Sequence, residues 1–155
     1  MCAIETRKVD KELHKAIVKA GNATITVLNT FTNNRYTYKI KKCKDENIWF
    51  VSLMTGPDNT RSYKYIGSLF GDEFYTTSKS KLPNNDVRVK EFEFVWLNIC
   101  RNSIPDFVEL WHAGRCCVCG KRLTVPKSIE LGIGPKCAKR FNIKEEVSSG
   151  TSNNP

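Results

Sequence analysis

The chain has 155 residues, is 40% hydrophobic and 26% charged, and carries a formal net charge of +9 at pH 7. These values are typical of one globular domain with room for a small appended unit. No apolar run approaches the ~20 residues of a membrane-spanning helix, and the opening MCAIETRKVDKELHK lacks the apolar stretch of a signal peptide. We therefore expect a cytoplasmic protein without a membrane partner.

The first predicted element is a short helix over residues 10–20, DKELHKAIVKA. Asp10 is the expected N-cap, and the Gly-Asn pair directly after residue 20 is expected to end the helix. Leu13, Ile17 and Ala20 recur at helical spacing, so this side of the helix is predicted to face the core.

From residue 23 the apolar residues recur with a period of two. Five short segments, separated by turn-forming residues, are rich in β-branched and aromatic side chains: ATITVLN, RYTYKIK, IWFVSLM, RSYKYIG and DEFYTTS. Each segment is predicted to be a strand. Together they predict an antiparallel meander, or a half-barrel if the sheet curls.

A second helix is predicted over VRVKEFEFVWLNICRN, with Asp86 as its cap. The first eight of these residues also alternate like a strand, but Phe92, Val95, Trp96 and Ile99 recur at helical spacing and favour the helix. A further strand, FVELWH, then leads into a cluster of cysteines.

The predicted fold class is α+β, an antiparallel sheet with flanking helices and a C-terminal zinc-ribbon-like subdomain. The predicted boundaries are 1–110 for the α+β domain, 111–144 for the subdomain and 145–155 for a disordered tail.

Seven cysteines, an odd number crowded toward the C-terminus, favour a metal site over disulfides in a cytoplasmic chain. Cys116 and Cys119 have the two-residue separation of a zinc knuckle, and Gly120 permits the turn after them. Cys137 follows after 17 intervening residues, where Pro135 is expected to open a helix whose positive end stabilises a thiolate. These three cysteines are the predicted thiolate ligands of a zinc ion.

The fourth ligand is less determined by the sequence. A four-cysteine ribbon would have a cysteine where Arg140 stands. His112 is the preferred candidate, because it precedes Cys116 on the strand that enters the knuckle. Cys117 is the weaker one, since three ligands from four consecutive residues would strain the loop, and another residue or water stays possible.

The segment WHAGRCCVCGKRLTVPKSIELGIGPKCAKR resembles a short zinc-ribbon-like domain of unknown function found at the ends of small phage and prophage proteins. The similarity lies in Gly-Arg-Cys-x2-Cys-Gly-Lys-x-Leu-Thr, the Pro-x-Ser segment and Gly-Ile-Gly-Pro-x-Cys, and covers residues 111–140. The resemblance implies zinc, a viral or mobile-element origin and hence a host cytoplasm. It implies no activity.

A catalytic zinc ion needs an open coordination position and a nearby general base. The His-x-Glu and Pro-Cys-x2-Cys pattern of zinc deaminases is missing, as is His-Glu-x2-His, and carboxylates do not cluster near the cysteines. We therefore expect a structural zinc ion and no enzymatic activity. The subdomain has few large apolar residues, so the metal would supply much of its folding free energy.

The positive charge is concentrated around the cysteines, where eight Lys and Arg residues face one acidic residue between 111 and 144. Such a basic surface suits phosphates or an acidic protein. The predicted nucleic-acid-binding residues are Arg115, Lys121, Arg122, Lys127, Lys136, Lys139 and Arg140.

Aromatic residues in the strands are a weaker indication of nucleic-acid binding. Tyr36 and Tyr38 share one side of their strand, Tyr63 and Tyr65 repeat that arrangement, and such side chains can stack on bases or simply fill a core. The sequence thus predicts a non-catalytic nucleic-acid-binding module of phage type. The alternative is an inhibitor that binds a host protein, such as a defence nuclease or the transcription machinery.

Overall fold

The computed structural model describes residues 7–44, 46–56, 62–119, 121–123, 129 and 131–134. Within these residues the chain forms seven strands, listed in chain order as β1 (Arg7–Lys8), β2 (Asn22–Asn29), β3 (Asn34–Lys42), β4 (Ile48–Met54), β5 (Tyr63–Phe70), β6 (Glu73–Tyr75) and β7 (Val108–His112). Two helices accompany them, α1 (His14–Val18), which continues a 3₁₀ turn at Lys11–Leu13, and α2 (Val87–Cys100). None of the described helices is long and apolar enough to cross a membrane.

The strands form one open antiparallel sheet in the order β1-β7-β2-β3-β4-β5-β6. The predicted α+β class with an antiparallel sheet is therefore confirmed. Strands β2 to β6 follow one another as a meander, and their period-two patterns correctly located all five. Strand β7, also predicted, returns to pair with β2, while β1 was not predicted, because two residues are too short to show a pattern.

The first helix is shorter than predicted. The side chain of Asp10 makes no capping hydrogen bond, and the helical segment begins with a 3₁₀ turn. At the other end the N–H of Ala20 donates to Ile17 O at 3.2 Å, a three-residue closure that tightens the last turn. Gly21 then takes a φ of +125°, which only glycine adopts readily, and β2 starts at the next residue. Ile17 and Ala20 are buried, as their spacing predicts.

Helix α2 covers one face of the sheet. The carboxylate of Asp86 accepts the N–H of Arg88 at 2.9 Å, which confirms the predicted cap. The ring of Phe92 packs 5.1 Å from the ring of Tyr38 on β3 and 5.1 Å from that of Phe74 on β6, measured between centroids. This packing decides for helix over strand, because a strand could not direct the whole apolar stripe of α2 toward the sheet.

The two faces of the sheet differ in chemistry. Ile25, Tyr38 and Leu110 lie on the face under α2 and are fully buried. The opposite face, which we call the helix-free face, carries the side chains that alternate with these. On it the hydroxyls of Thr26 and Thr37 hydrogen-bond each other across β2 and β3 at 2.7 Å. Neither described helix packs against it.

The predicted subdomain at 111–144 is described at 111–119, 121–123, 129 and 131–134, and the predicted disordered tail 145–155 lies outside the described residues. The described part shares the core of the sheet and helices. Its buried members there are Cys116, Cys117, Leu123 and Ile133.

His14 is a buried histidine whose protonation opposes folding. It is 3% exposed, its Nε2 lies 3.3 Å from Val9 O, and its Nδ1 has no hydrogen-bond partner among the described residues. Burial lowers the pKa of His14, although the Val9 carbonyl partly opposes that shift. The unfolded chain therefore takes up this proton first as the pH falls below about 6.5, and stability declines until the lowered pKa of the folded state is passed.

We predict that His14→Gln reduces the acid sensitivity of the protein. Glutamine keeps a donor for Val9 O but does not titrate. Urea unfolding of both proteins at about pH 7.5 and about pH 5.5 measures the effect. The loss of unfolding free energy between the two pH values is expected to be smaller in the variant, and equal losses would show that His14 is not titrating in this range.

Candidate metal centre

The two knuckle cysteines lie on a tight hairpin that follows β7. Arg115 and Arg122 form an antiparallel bridge, and the N–H of Leu123 donates to Gly114 O at 2.9 Å. The N–H of Cys116 donates to Lys121 O at 2.7 Å. The hairpin brings Cys116 to the start of the turn.

The sulfur of Cys116 is surrounded by backbone donors. The N–H groups of Val118 and Cys119 point at its Sγ at 3.4 and 3.5 Å. Burial by itself raises the pKa of this thiol, but the backbone N–H groups of Gly134, Cys119 and Val118 lower it to about 7. Cys116 is thus prepared to be a thiolate inside the protein, the form in which cysteine binds metals.

Cys119 completes the pair on this hairpin. Its side chain is exposed, and it hydrogen-bonds the thiol of Cys116. Two sulfurs close together on one turn form a soft donor pair, which suits zinc. The segment at Gly134 approaches the same place, since a Cβ on Gly134 would lie 3.9 Å from Cys116 Sγ.

Cys117 lies in different surroundings. It is 1% exposed, and its sulfur contacts Arg115 O at 3.9 Å and the backbone of Thr24 on β2. Burial raises the pKa of this thiol to about 12, and the neighbouring Cys116 adds to the shift. Cys117 is therefore a neutral core residue here, which does not favour it as a ligand.

His112, the preferred fourth ligand, has both ring nitrogens engaged by the backbone. The N–H of Gly114 donates to Nδ1 at 2.9 Å, so Nε2 carries the proton and donates it to Ile129 O. Burial is the main cause that lowers the pKa of His112, so the ring is neutral. A metal ion at either nitrogen would have to displace one of these partners. Its role as a ligand stays a prediction.

The alternation of apolar residues in the sequence indicates that His112 is buried. In the strand FVELWH it alternates with Val108 and Leu110, and all three are buried on the face under the helices. Gly132 packs on this ring with a φ of +76°, and a Cβ there would lie 3.1 Å from His112 Cδ2. The histidine therefore holds the chain around Gly132 against β7.

The remaining predicted site residues divide into two groups. Arg115, Lys121 and Arg122 are exposed around the hairpin. Those outside the described residues are Cys137, Lys127, Lys136, Lys139 and Arg140. In the part of the chain that the structure describes, no three His, Cys, Asp or Glu side chains come close enough to hold a metal ion. A complete ligand set thus needs a residue beyond that part.

Comparison with known proteins gives one match. Residues 112–142 match a family of unknown function, DUF6011. The matched segment begins at His112 and includes every predicted zinc ligand and every predicted nucleic-acid-binding residue. No curated protein and no solved structure matches the chain.

Proposed function

We propose that Cys116, Cys119 and Cys137 hold a structural zinc ion, and that the basic surface around it binds nucleic acid without catalysis. The observation that carries the proposal is the sulfur of Cys116, which is buried yet held near a pKa of about 7 by backbone N–H groups. A buried thiolate of this kind needs a positive partner, and a zinc ion supplies one.

The position of Gly134 supports Cys137 as the third ligand. The chain passes beside Cys116 at Gly134, and three residues extend at most about 10 Å. Cys137 follows within that reach. The bound metal would tie the returning chain to the hairpin and contribute folding free energy, with no reaction step assigned to it.

The fourth ligand is left to His112, to a water or to another residue. Coordination by His112 would require loss of the hydrogen bond to Gly114 or to Ile129 O. Rupture of one such bond inside a protein costs about 1–3 kcal/mol, which zinc binding can offset. Cys117 is disfavoured by its high pKa.

The basic residues around the site support nucleic acid as the partner. Lys121 and Arg122 are exposed on the same hairpin as the thiols. Thiolates bound to zinc lose most of their negative charge locally, so these cations face solvent as a net positive surface. Phosphate groups are the ligands that such a surface attracts.

We predict that Cys119→Ser weakens zinc binding by at least about 100-fold, because it removes one of the thiolates. The exposed position of Cys119 lets the fold tolerate the change. Metal content after gel filtration and competition with a chromophoric chelator measure the effect. Cys43→Ser is the matched control and should retain one zinc per chain, as should Cys117→Ser. Full zinc retention by Cys119→Ser would refute the site.

We predict that cobalt substitution identifies the fourth ligand. A nitrogen ligand and a sulfur ligand give the bound cobalt ion different visible absorption bands, whatever the stability of the variant. His112→Asn should shift those bands if His112 coordinates the metal. An unchanged spectrum with a lower thermal midpoint would instead assign His112 to holding Gly132 against β7.

We predict that Lys121→Gln combined with Arg122→Gln weakens binding to labelled DNA and RNA about tenfold at ~0.15 M salt. The slope of log affinity against log salt should fall in magnitude by about 1.8 for duplex DNA, since two phosphate contacts are lost. Lys79→Gln combined with Lys90→Gln is the control, because it removes the same number of positive charges away from the hairpin.

If the hairpin variant and the control variant lose nucleic-acid affinity equally, the hairpin has no specific role in binding. Uniform binding of the unsubstituted protein near or above ~10 µM would mean that the charge does not serve nucleic acid. The host-protein inhibitor would then be the better hypothesis.

A further inference from the structure

We infer that the helix-free face binds single-stranded nucleic acid, with bases stacked on Phe50 and Tyr65 and phosphates held by Lys39 and Lys41. The inference rests on the proposed function in taking nucleic acid as the ligand. It adds a second surface and names the strandedness of the substrate.

Two lysines on β3 lie beside aromatic rings on β4 and β5 on this face. Lys41 on β3 is the register partner of Phe50 on β4, so their side chains stand beside each other. The Phe50 ring lies 6.3 Å from the Tyr65 ring on β5 in an edge-to-face arrangement. The Nζ of Lys39 lies 5.1 Å from the centroid of the Tyr63 ring. Cations on β3 thus lie next to aromatic rings on the two following strands.

Lys39 and Lys41 form a positively charged stripe, and the residues paired with them across the strands do not cancel its charge. The cross-strand partners of Lys39 and Lys41 are uncharged, namely Asn22, Thr24, Phe50 and Ser52. These two lysines therefore attract anions to this end of β3. Phe50 lies beside Lys41, and its side chain remains 43% exposed. A large, half-exposed ring beside a lysine matches what a base and its phosphate require.

The end of β3 that carries Lys41 lies near the basic hairpin of the candidate metal centre. The N–H of Asn22 donates to Cys117 O at 2.6 Å, and Asn22 is the register partner of Lys41 on β3. The end of β3 that carries Lys41 therefore adjoins the hairpin that carries Lys121 and Arg122.

The aromatic rings favour a single strand over a duplex. A duplex keeps its bases stacked on each other, so their faces are not offered to protein side chains, whereas unpaired bases can be splayed onto aromatic platforms. Phosphate contacts alone would not distinguish the two forms.

The test compares Phe50→Ala and Lys41→Gln with the controls Phe94→Ala and Lys90→Gln on α2. Phe94 is a matched control because it is also 43% exposed, and Lys90 is an exposed lysine on the same helix. The probes are fluorescein-labelled oligothymidine and oligouridine of about 12 nucleotides and a labelled DNA duplex of equal length. Anisotropy titrations of the zinc-loaded full chain give the affinities at several salt concentrations, and circular dichroism verifies the fold of each variant.

Phe50→Ala is expected to weaken binding to one or both single strands about tenfold and to leave the duplex affinity within about twofold. Lys41→Gln should reduce the magnitude of the single-strand salt slope by about 0.7. The control variants on α2 should change neither the single-strand affinity nor its salt slope. A preference of the unsubstituted protein for oligothymidine or oligouridine would identify the strand as DNA or RNA.

Unchanged single-strand binding by Phe50→Ala, or an equal loss on the duplex, would overturn this inference. If Lys121→Gln with Arg122→Gln still weakens binding in that case, the proposed function stands and the sheet face is simply solvated. If Phe50→Ala weakens single-strand binding but the hairpin variant has no effect, the basic hairpin fails and the sheet face stands.

Discussion

The backbone of Cys117 joins the C-terminal segment to the sheet, and the candidate metal centre depends on this connection. Its N–H donates to Gly132 O at 2.9 Å, and its carbonyl accepts the N–H of Asn22 at 2.6 Å. The first bond brings the returning chain beside the hairpin, and the second fixes the hairpin at the start of β2. With its thiol buried between them, Cys117 makes the knuckle part of the core, whereas an isolated ribbon would be held by the metal alone.

This connection explains why adjacent cysteines have opposite chemistry. The chain enters the turn at Cys117, and there Cys117 lies against Thr24 on β2 while Cys116 lies against the N–H groups of the turn and Gly134. One sulfur gains backbone donors and a pKa of about 7, and the other gains apolar neighbours and a pKa of about 12. A Cys-Cys pair thus provides one sulfur suited to bind a metal ion and one packing residue.

The sequence predicted elements whose pattern is local and missed features that depend on tertiary contacts. Strands β2 to β7 and helix α2 were recognised because their apolar residues recur with a local period. The short β1 and the insertion of β7 between β1 and β2 have no local signature, since pairing with a distant strand creates them. Knuckle spacing indicated Cys116 and Cys119, but the backbone partners of His112 come from 114 and 129 and are visible only after folding.

Packing and the proposed metal ion would have separate roles in this arrangement. Leu123 and Ile133 already belong to the common core, so both sides of the hairpin are anchored without metal. Cys119 is exposed at the turn, and ligation would connect that outermost point to the buried Cys116 and to the chain beyond Gly134. The residues that such a bond would immobilise are those next to Cys119, including Lys121 and Arg122. A cation on a fixed turn loses less conformational entropy when it meets a phosphate than one on a mobile loop. The proposed zinc ion would therefore support the proposed nucleic-acid binding through the orientation of these charges, even where the core does not require the metal.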